Sequence, residues 1–146
     1  MRLEKPLAPG STIGILGGGQ LGRMLALAAG ELGFSCHIFA PEADSPAFQV
    51  SGAHTVAGYH DFTALEGFAK SVAVVTYEFE NVPGDTAAFL ESRVALAPGS
   101  GALKTAQDRV DEKTFIAGLG IPVAPFAAVN GQPELEAAIA LIGRPS

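Results

Sequence analysis

The sequence predicts an α/β protein built on a doubly wound parallel sheet, and three observations carry the prediction. Short β-rich runs alternate with longer helical ones from Thr12 to Ala97, the pattern of a parallel sheet covered by helices. The first run, Thr12 to Leu16, passes straight into a Gly17-x-Gly19-x-x-Gly22 turn that opens a helix. The run Val72 to Tyr77 (VAVVTY) is apolar almost throughout, as a strand buried on both faces must be. With 146 residues the chain suits one ordinary domain and a short extension. At 48% hydrophobic and 16% charged residues, with a mean hydropathy of +0.31, it carries a real core and is not a disordered segment.

Taken in order, Thr12 to Leu16 is strand one, stopped by three glycines. The helix from Gln20 to Leu32 places Leu21, Met24, Leu25, Ala28 and Leu32 at three-to-four spacing, which predicts one buried stripe, and Gly33 suits its C-terminal cap. Phe34 to Phe39 is strand two, Pro46 to Val50 a short helical turn, and His54 to Ala57 a third strand. Asp61 is placed to cap a helix from Phe62 to Lys70 that shows Leu65 and Phe68 on one face. After Val72 to Tyr77, Pro83 starts a helix through Leu90, since proline fits a first turn where its missing N–H has no partner. Val94 to Ala97 is strand five.

From Pro98 the character changes. Ser100 to Thr105 and Asp108 to Leu119 read as two helices, the second ended by Gly118, Gly120 and Pro122. We therefore expect a first domain over residues 1–107 and a second piece over 108–146. The second piece holds a strand from Val123 to Val129, a turn at Asn130-Gly131 and a helix from Pro133 to Ile142 before Arg144-Pro145-Ser146. Leu135, Ile139 and Ile142 have no returning strand to cover them, so this β-α pair reads as the opening of something larger.

Charge and composition exclude several classes of function. A net charge of -6, a pI near 4.9 and nine scattered Lys and Arg leave no basic surface for nucleic acid. No apolar run approaches the ~20 residues of a membrane span, and Met1 to Gly10 lacks a signal-peptide core; a cytoplasmic location is expected. The single cysteine, Cys36, reads as a buried small hydrophobe. His37, His54 and His60 lack metal-ligand spacing and read as structural or exposed, so no metal site is expected.

Three segments carry candidate chemistry. The glycine turn, following a strand and opening a helix, lets a ligand approach backbone N–H groups where the helix N-terminus favours an anion; equally, the glycines serve only close helix–sheet packing. A dinucleotide site also wants an acid closing strand two, and only Glu42, beyond Pro41, stands near. The second segment, Tyr77-Glu78-Phe79-Glu80-Asn81, closes the strongest strand. Ligands of open α/β sheets bind at such carboxyl ends, so it and the glycine turn can share a site. If Glu78 and Glu80 keep strand alternation they face one side and can accept hydrogen bonds from sugar hydroxyls or an amine; the alternative is a solvated acidic loop. The third segment is Gln107-Asp108-Arg109 with Lys113, where Asp108 can cap a helix and the two cations can meet an anion.

Across these residues the chain resembles the N-terminal part of the 5-(carboxyamino)imidazole ribonucleotide synthase family, ATP-grasp enzymes of purine biosynthesis. The resemblance runs through Ile13 to Met24 (IGILGGGQLGRM), Pro46-Ala47 with Gln49-Val50, Thr76 to Pro83 (TYEFENVP), Gln107-Asp108-Arg109 with Glu112-Lys113, and Gly120-Ile121-Pro122 with Ala124-Pro125. GGGQLGRM and TYEFENVP together are far more specific than a bare glycine pattern. The resemblance implies a Rossmann-like pre-ATP-grasp domain followed by the start of a truncated ATP-grasp domain. It implies ligase chemistry in which ATP phosphorylates bicarbonate and the carboxyl group passes to the amine of 5-aminoimidazole ribonucleotide, with magnesium accompanying the nucleotide. It further implies that Gly19, Gln20, Leu21 and Glu78 touch the ribonucleotide, that Arg109 approaches ATP, and that a homodimer is the common assembly.

Family members continue past a Gly-Arg-Pro turn into a strand with an ATP-binding lysine, a glycine-rich loop and a carboxylate-rich domain. None of these lies within the 146 residues, so this chain alone is expected to be inactive and to hold neither ATP nor Mg2+. Two other readings stay open on the residues: a nicotinamide-binding module of an oxidoreductase, and a non-catalytic interaction domain on the same fold.

Overall fold

A computed structural model describes residues 5–143; the expected Arg144-Pro145-Ser146 end and the first four residues lie outside them. Within this range the chain forms five strands: β1 Thr12–Leu16, β2 Ser35–Ala40, β3 Ala53–Val56, β4 Val74–Tyr77 and β5 Ala95–Leu96. The helices are α1 Gln20–Glu31, α2 Phe62–Lys70, α3 Gly84–Glu91, α4 Ser100–Gln107, α5 Arg109–Gly118 and α6 Gln132–Ile142. A 3-10 turn spans Pro46–Val50. No helix among the described residues is long and apolar enough to cross a membrane. The chain divides into two compact units, Met1–Leu103 and Lys104–Ser146.

The first unit is a parallel sheet in the order β3-β2-β1-β4-β5. Strand alternation sends neighbouring apolar residues of β1 to opposite faces, and each face has its own core. Ile15 packs with Cys36, Ile38, Ala26, Ala29 and Ala47 on the side of α1 and the 3-10 turn. Leu16 packs with Phe39, Leu65, Phe68, Val75 and Leu90 on the side of α2 and α3. The chain order reverses between β1 and β4, so the crevice of a doubly wound sheet opens at their carboxyl ends.

Local signals behave largely as their chemistry dictates. Asp61 caps α2 by accepting from the Ala64 amide at 2.9 Å, and Asp108 caps α5 by accepting from Val110 and Asp111. Helix α1 ends in a paired cap in which the amides of Gly33 and Phe34 donate to the carbonyls of Gly30 and Ala29. Pro83 stands at the N-cap of α3 rather than inside its first turn.

Two expectations are corrected. The buried stripe of α1 is Gly22, Ala26 and Ala29, whereas Leu21, Met24, Leu25, Ala28 and Leu32 are exposed, Leu32 at 71%. Close approach of this helix to the sheet leaves room only for the smallest side chains, so the stripe of larger residues at similar spacing faces outward. The segment Val123 to Val129 is not a strand. A strand exists by its ladder of hydrogen bonds, and none of the described residues pairs with this segment. In the second unit its Phe126 and Val129 instead line an apolar groove with Leu135 and Ile139 of α6.

His37 on β2 ties three elements together. Its Nδ1 and Nε2 lie 2.8 Å from Ser71 Oγ and Thr55 Oγ1, and its ring meets Phe68 edge-on at 5.0 Å. Ser71 Oγ already donates to the Phe68 carbonyl, so it accepts from Nδ1–H, and Nε2 accepts from Thr55: a neutral imidazole. Burial, aided by the charge of His54, holds the His37 pKa below its usual 6.5. A histidine whose folded pKa lies below its unfolded one binds more protons when unfolded, so its contribution is complete above pH 6.5 and lost as pH falls below it. We expect the thermal midpoint to fall between pH 7.5 and 5.5, and the fall to shrink in His37→Gln; scanning calorimetry at both pH values reads the difference. Equal falls in the two proteins would remove His37 as the cause.

Candidate functional site

The register of β1 against β4 sets Leu16 opposite Tyr77, so the next residues of each strand, Gly17 and Glu78, emerge side by side. The Glu78 amide donates to the Leu16 carbonyl at 3.2 Å, and its side chain then turns into the glycine corner. Glu78 Oε1 accepts from the Gly19 amide at 3.0 Å and Oε2 accepts from the Gly22 amide. Gly19, the N-cap of α1, supplies no side chain of its own. The free N–H groups and partial positive charge of the helix start are thus met by a carboxylate arriving from the adjacent strand end, where a ligand phosphate sits in related folds.

The glycines follow from that carboxylate. Gly17 has φ +111°, and a Cβ there would stand 2.4 Å from Glu78 Cγ. A Cβ on Gly22 would stand 2.5 Å from the Gly17 carbonyl oxygen and 3.0 Å from Glu78 Oε2. On the other side, the Ala47 amide donates to the Gly18 carbonyl at 2.9 Å, and Arg23 donates to the Pro46 carbonyl and Gln49 Oε1. Pro46, Ala47 and Gln49, three of the residues that carry the resemblance, therefore brace the turn. Buried Ser45 donates to the Glu42 carbonyl at 2.7 Å, fixing the loop after β2.

Of the residues singled out in the sequence, Gly19, Gln20, Leu21 and Glu78 come together at this rim, with Gln20 and Leu21 exposed at the start of α1. Glu80 does not extend the strand: β4 ends at Tyr77 and Glu80 lies on an exposed turn, so alternation does not pair it with Glu78. Arg109 belongs to the second unit, at the first residue of α5, where it forms an exposed ion pair with Glu112; Lys113 lies over the Phe126 ring at 5.3 Å. Cys36 is buried, and burial pushes its thiol pKa up. His54 stacks on Phe48 at 4.3 Å and His60 pairs with Asp85. Among the described residues no group of three or more His, Cys, Asp or Glu is placed to hold a metal ion.

The sequence reading missed Tyr59. It follows β3 on the same carboxyl rim, and its half-buried ring lies 6.1 Å from Phe39 and 6.2 Å from Phe79. Burial, with the charges of Glu42 and Glu78, pushes its pKa up to about 12. The rule that exposed Glu78, ligands at strand ends, would have found Tyr59 had it been applied to β3 as well as to β1 and β4.

Fold and site together define a Rossmann-like α/β module whose helix N-terminus is filled by its own carboxylate. The chain belongs to the family described as the ribonucleotide synthetase preATP-grasp domain, which it matches over residues 10–107. It is 47% identical over 137 residues to N5-carboxyaminoimidazole ribonucleotide synthase of Brucella melitensis, covering 94% of this chain and 38% of that protein. An N5-carboxyaminoimidazole ribonucleotide synthetase solved with ADP superposes with a TM-score of 0.90 at 43% identity, covering 98% of this chain and 38% of that one. The Aspergillus clavatus N5-carboxyaminoimidazole synthase, solved with ADP and 5-aminoimidazole ribonucleotide, gives a TM-score of 0.82 at 32% identity, over 94% of this chain and 37% of that one. The chain corresponds to the N-terminal portion of these proteins and spans little more than a third of their length.

Proposed function

We propose that this chain is the substrate-binding N-terminal part of an ATP-dependent carbon–nitrogen ligase that carboxylates 5-aminoimidazole ribonucleotide with bicarbonate in de novo purine biosynthesis. The observation that carries the proposal is the meeting of Glu78 with the Gly17–Gly22 turn on one rim. Each carboxylate oxygen of Glu78 gives one lone pair to a backbone amide and keeps another, which accepts from the amine or a ribose hydroxyl of the ligand. Gly19, Gln20 and Leu21 border the same opening. In the reaction a bicarbonate oxygen attacks the γ-phosphorus of ATP and ADP leaves; the ribonucleotide amine then attacks the carbonyl carbon of carboxyphosphate, the C–O bond to phosphate breaks, and the nitrogen loses a proton.

Arg109 is assigned to ATP and the module edge to residue 107, an assignment that the extent of the family match, residues 10–107, supports. Mg2+ is assigned to the nucleotide phosphates, which with one or two carboxylates are its usual ligands, and the chain alone is expected to show no turnover. The exposed apolar face of α1, with Met24, Leu27 and Leu32, supports a homodimer, and a cytoplasmic location accords with the substrates.

Calorimetric titration with 5-aminoimidazole ribonucleotide, ATP, NAD and NADP tests the reading. Binding of the ribonucleotide, weakened at least tenfold in Glu78→Gln, and none of NAD or NADP, is the expected result. Binding of a nicotinamide dinucleotide without the ribonucleotide, or ATP- and bicarbonate-dependent turnover by the isolated chain, overturns it.

A further inference from the structure

Tyr59 follows β3 on the same carboxyl rim of the sheet as Glu78. The main chain of Tyr59 is fixed from below: its carbonyl accepts from Thr86 Oγ1 at 2.6 Å, and Thr86 on α3 is fully buried. Its ring is fixed from the sides by Phe39, which is fully buried, and by Phe79, the residue after Glu78. Yet its hydroxyl makes no hydrogen bond among the described residues. A phenol whose ring is packed on two sides, whose hydroxyl is left without a partner in the chain and which feels the carboxylates of Glu42 and Glu78 is a preorganised donor, since much of the entropy of placing it has already been lost in folding.

We propose that Tyr59 is a ligand-binding residue of this module, its phenol O–H donating a hydrogen bond to an acceptor atom of a nucleotide-like ligand held at the rim that the Gly17–Gly22 turn and Glu78 form together. This rests on the reading of the site as a ribonucleotide site. The division of labour follows from the chemistry present. Glu78 only accepts hydrogen bonds and therefore takes N–H or O–H groups of the ligand. A neutral phenol supplies the donor that a ring nitrogen or ribose oxygen requires. With its pKa near 12 the hydroxyl keeps its proton throughout the physiological range.

The chain contains two tyrosines, Tyr59 and Tyr77, and no tryptophan, so tyrosine labelled with 13C at Cζ yields two resonances, and Tyr59→Phe assigns them. Titration of the whole chain with 5-aminoimidazole ribonucleotide is expected to shift the Tyr59 resonance. Tyr59→Phe should bind the ribonucleotide about three- to tenfold more weakly, as loss of one neutral hydrogen bond dictates. Its melting temperature should match wild type within about 2 °C, because the hydroxyl has no partner within the chain to lose. Binding by wild type with an unmoved Tyr59 resonance and unchanged affinity in Tyr59→Phe overturns this inference alone. Failure of wild type to bind the ribonucleotide overturns the functional reading, and this inference with it.

Discussion

Glu78→Ala is expected to lower the thermal midpoint by about 10 °C or more, corresponding to about 2–3 kcal/mol in a domain of this size. The substitution removes both acceptors of the Gly19 and Gly22 amides and the negative charge at the start of α1. A hydrogen bond to a charged group contributes about 1.5–3 kcal/mol, and a carboxylate at a helix N-terminus about 0.3–1 kcal/mol more. Two such bonds do not add fully, because the rim is half-buried and water reaches the freed amides. Glu78→Gln retains one carbonyl acceptor and should lose roughly half as much. Amide hydrogen exchange gives an independent reading: the Gly19 and Gly22 amides should exchange faster in Glu78→Ala while the β1 amides keep their protection. Unchanged melting together with unchanged exchange would mean that the carboxylate does not hold the turn in solution.

Most of the site was legible because it is made by strand order and strand ends. Once β1 and β4 are recognised, their adjacency brings the glycine turn and Tyr77-Glu78 together, and no finer knowledge is needed. The direction of the Glu78 side chain was not legible. Nothing local to YEFEN shows that it reaches amides 56 and 59 residues away, so the same residues also fitted a solvated acidic loop. Alternation misled over Glu80 because β4 stops one residue before the motif's first carboxylate.

The failure over α1 has a different cause. Spacing records which residues share a helical face, not which face is turned inward, and α1 has two candidate faces: one of leucine and methionine, one of glycine and alanine. Helix–sheet distance decides between them, and the glycine turn sets that distance. Val123 to Val129 shows the same limit for strands, whose existence depends on a neighbour rather than on composition.

That close distance between α1 and the sheet makes a sharp prediction for one substitution at two places on the helix. Gly30→Ala is expected to stabilise the protein by about 0.5–1 kcal/mol, since glycine is about that much poorer than alanine in a helix and the added Cβ meets nothing within 4 Å. Gly22→Ala gains the same propensity yet is expected to destabilise by about 2–3 kcal/mol, the scale of overpacking in a closed site. Its Cβ would lie 2.5 Å from the Gly17 carbonyl oxygen, a backbone atom that cannot rotate aside as a side chain can. Relief requires α1 to lift from the turn, which stretches both bonds to Glu78; Gly22→Ala should therefore also weaken the ribonucleotide binding proposed for this rim, and combining it with Glu78→Ala should cost less than the sum of the two. Urea unfolding of the four variants reads all of this. If Gly22→Ala and Gly30→Ala shifted stability in the same direction, the helix would stand further from the turn than the carboxylate clamp requires, and the site built on that clamp would have to be redrawn.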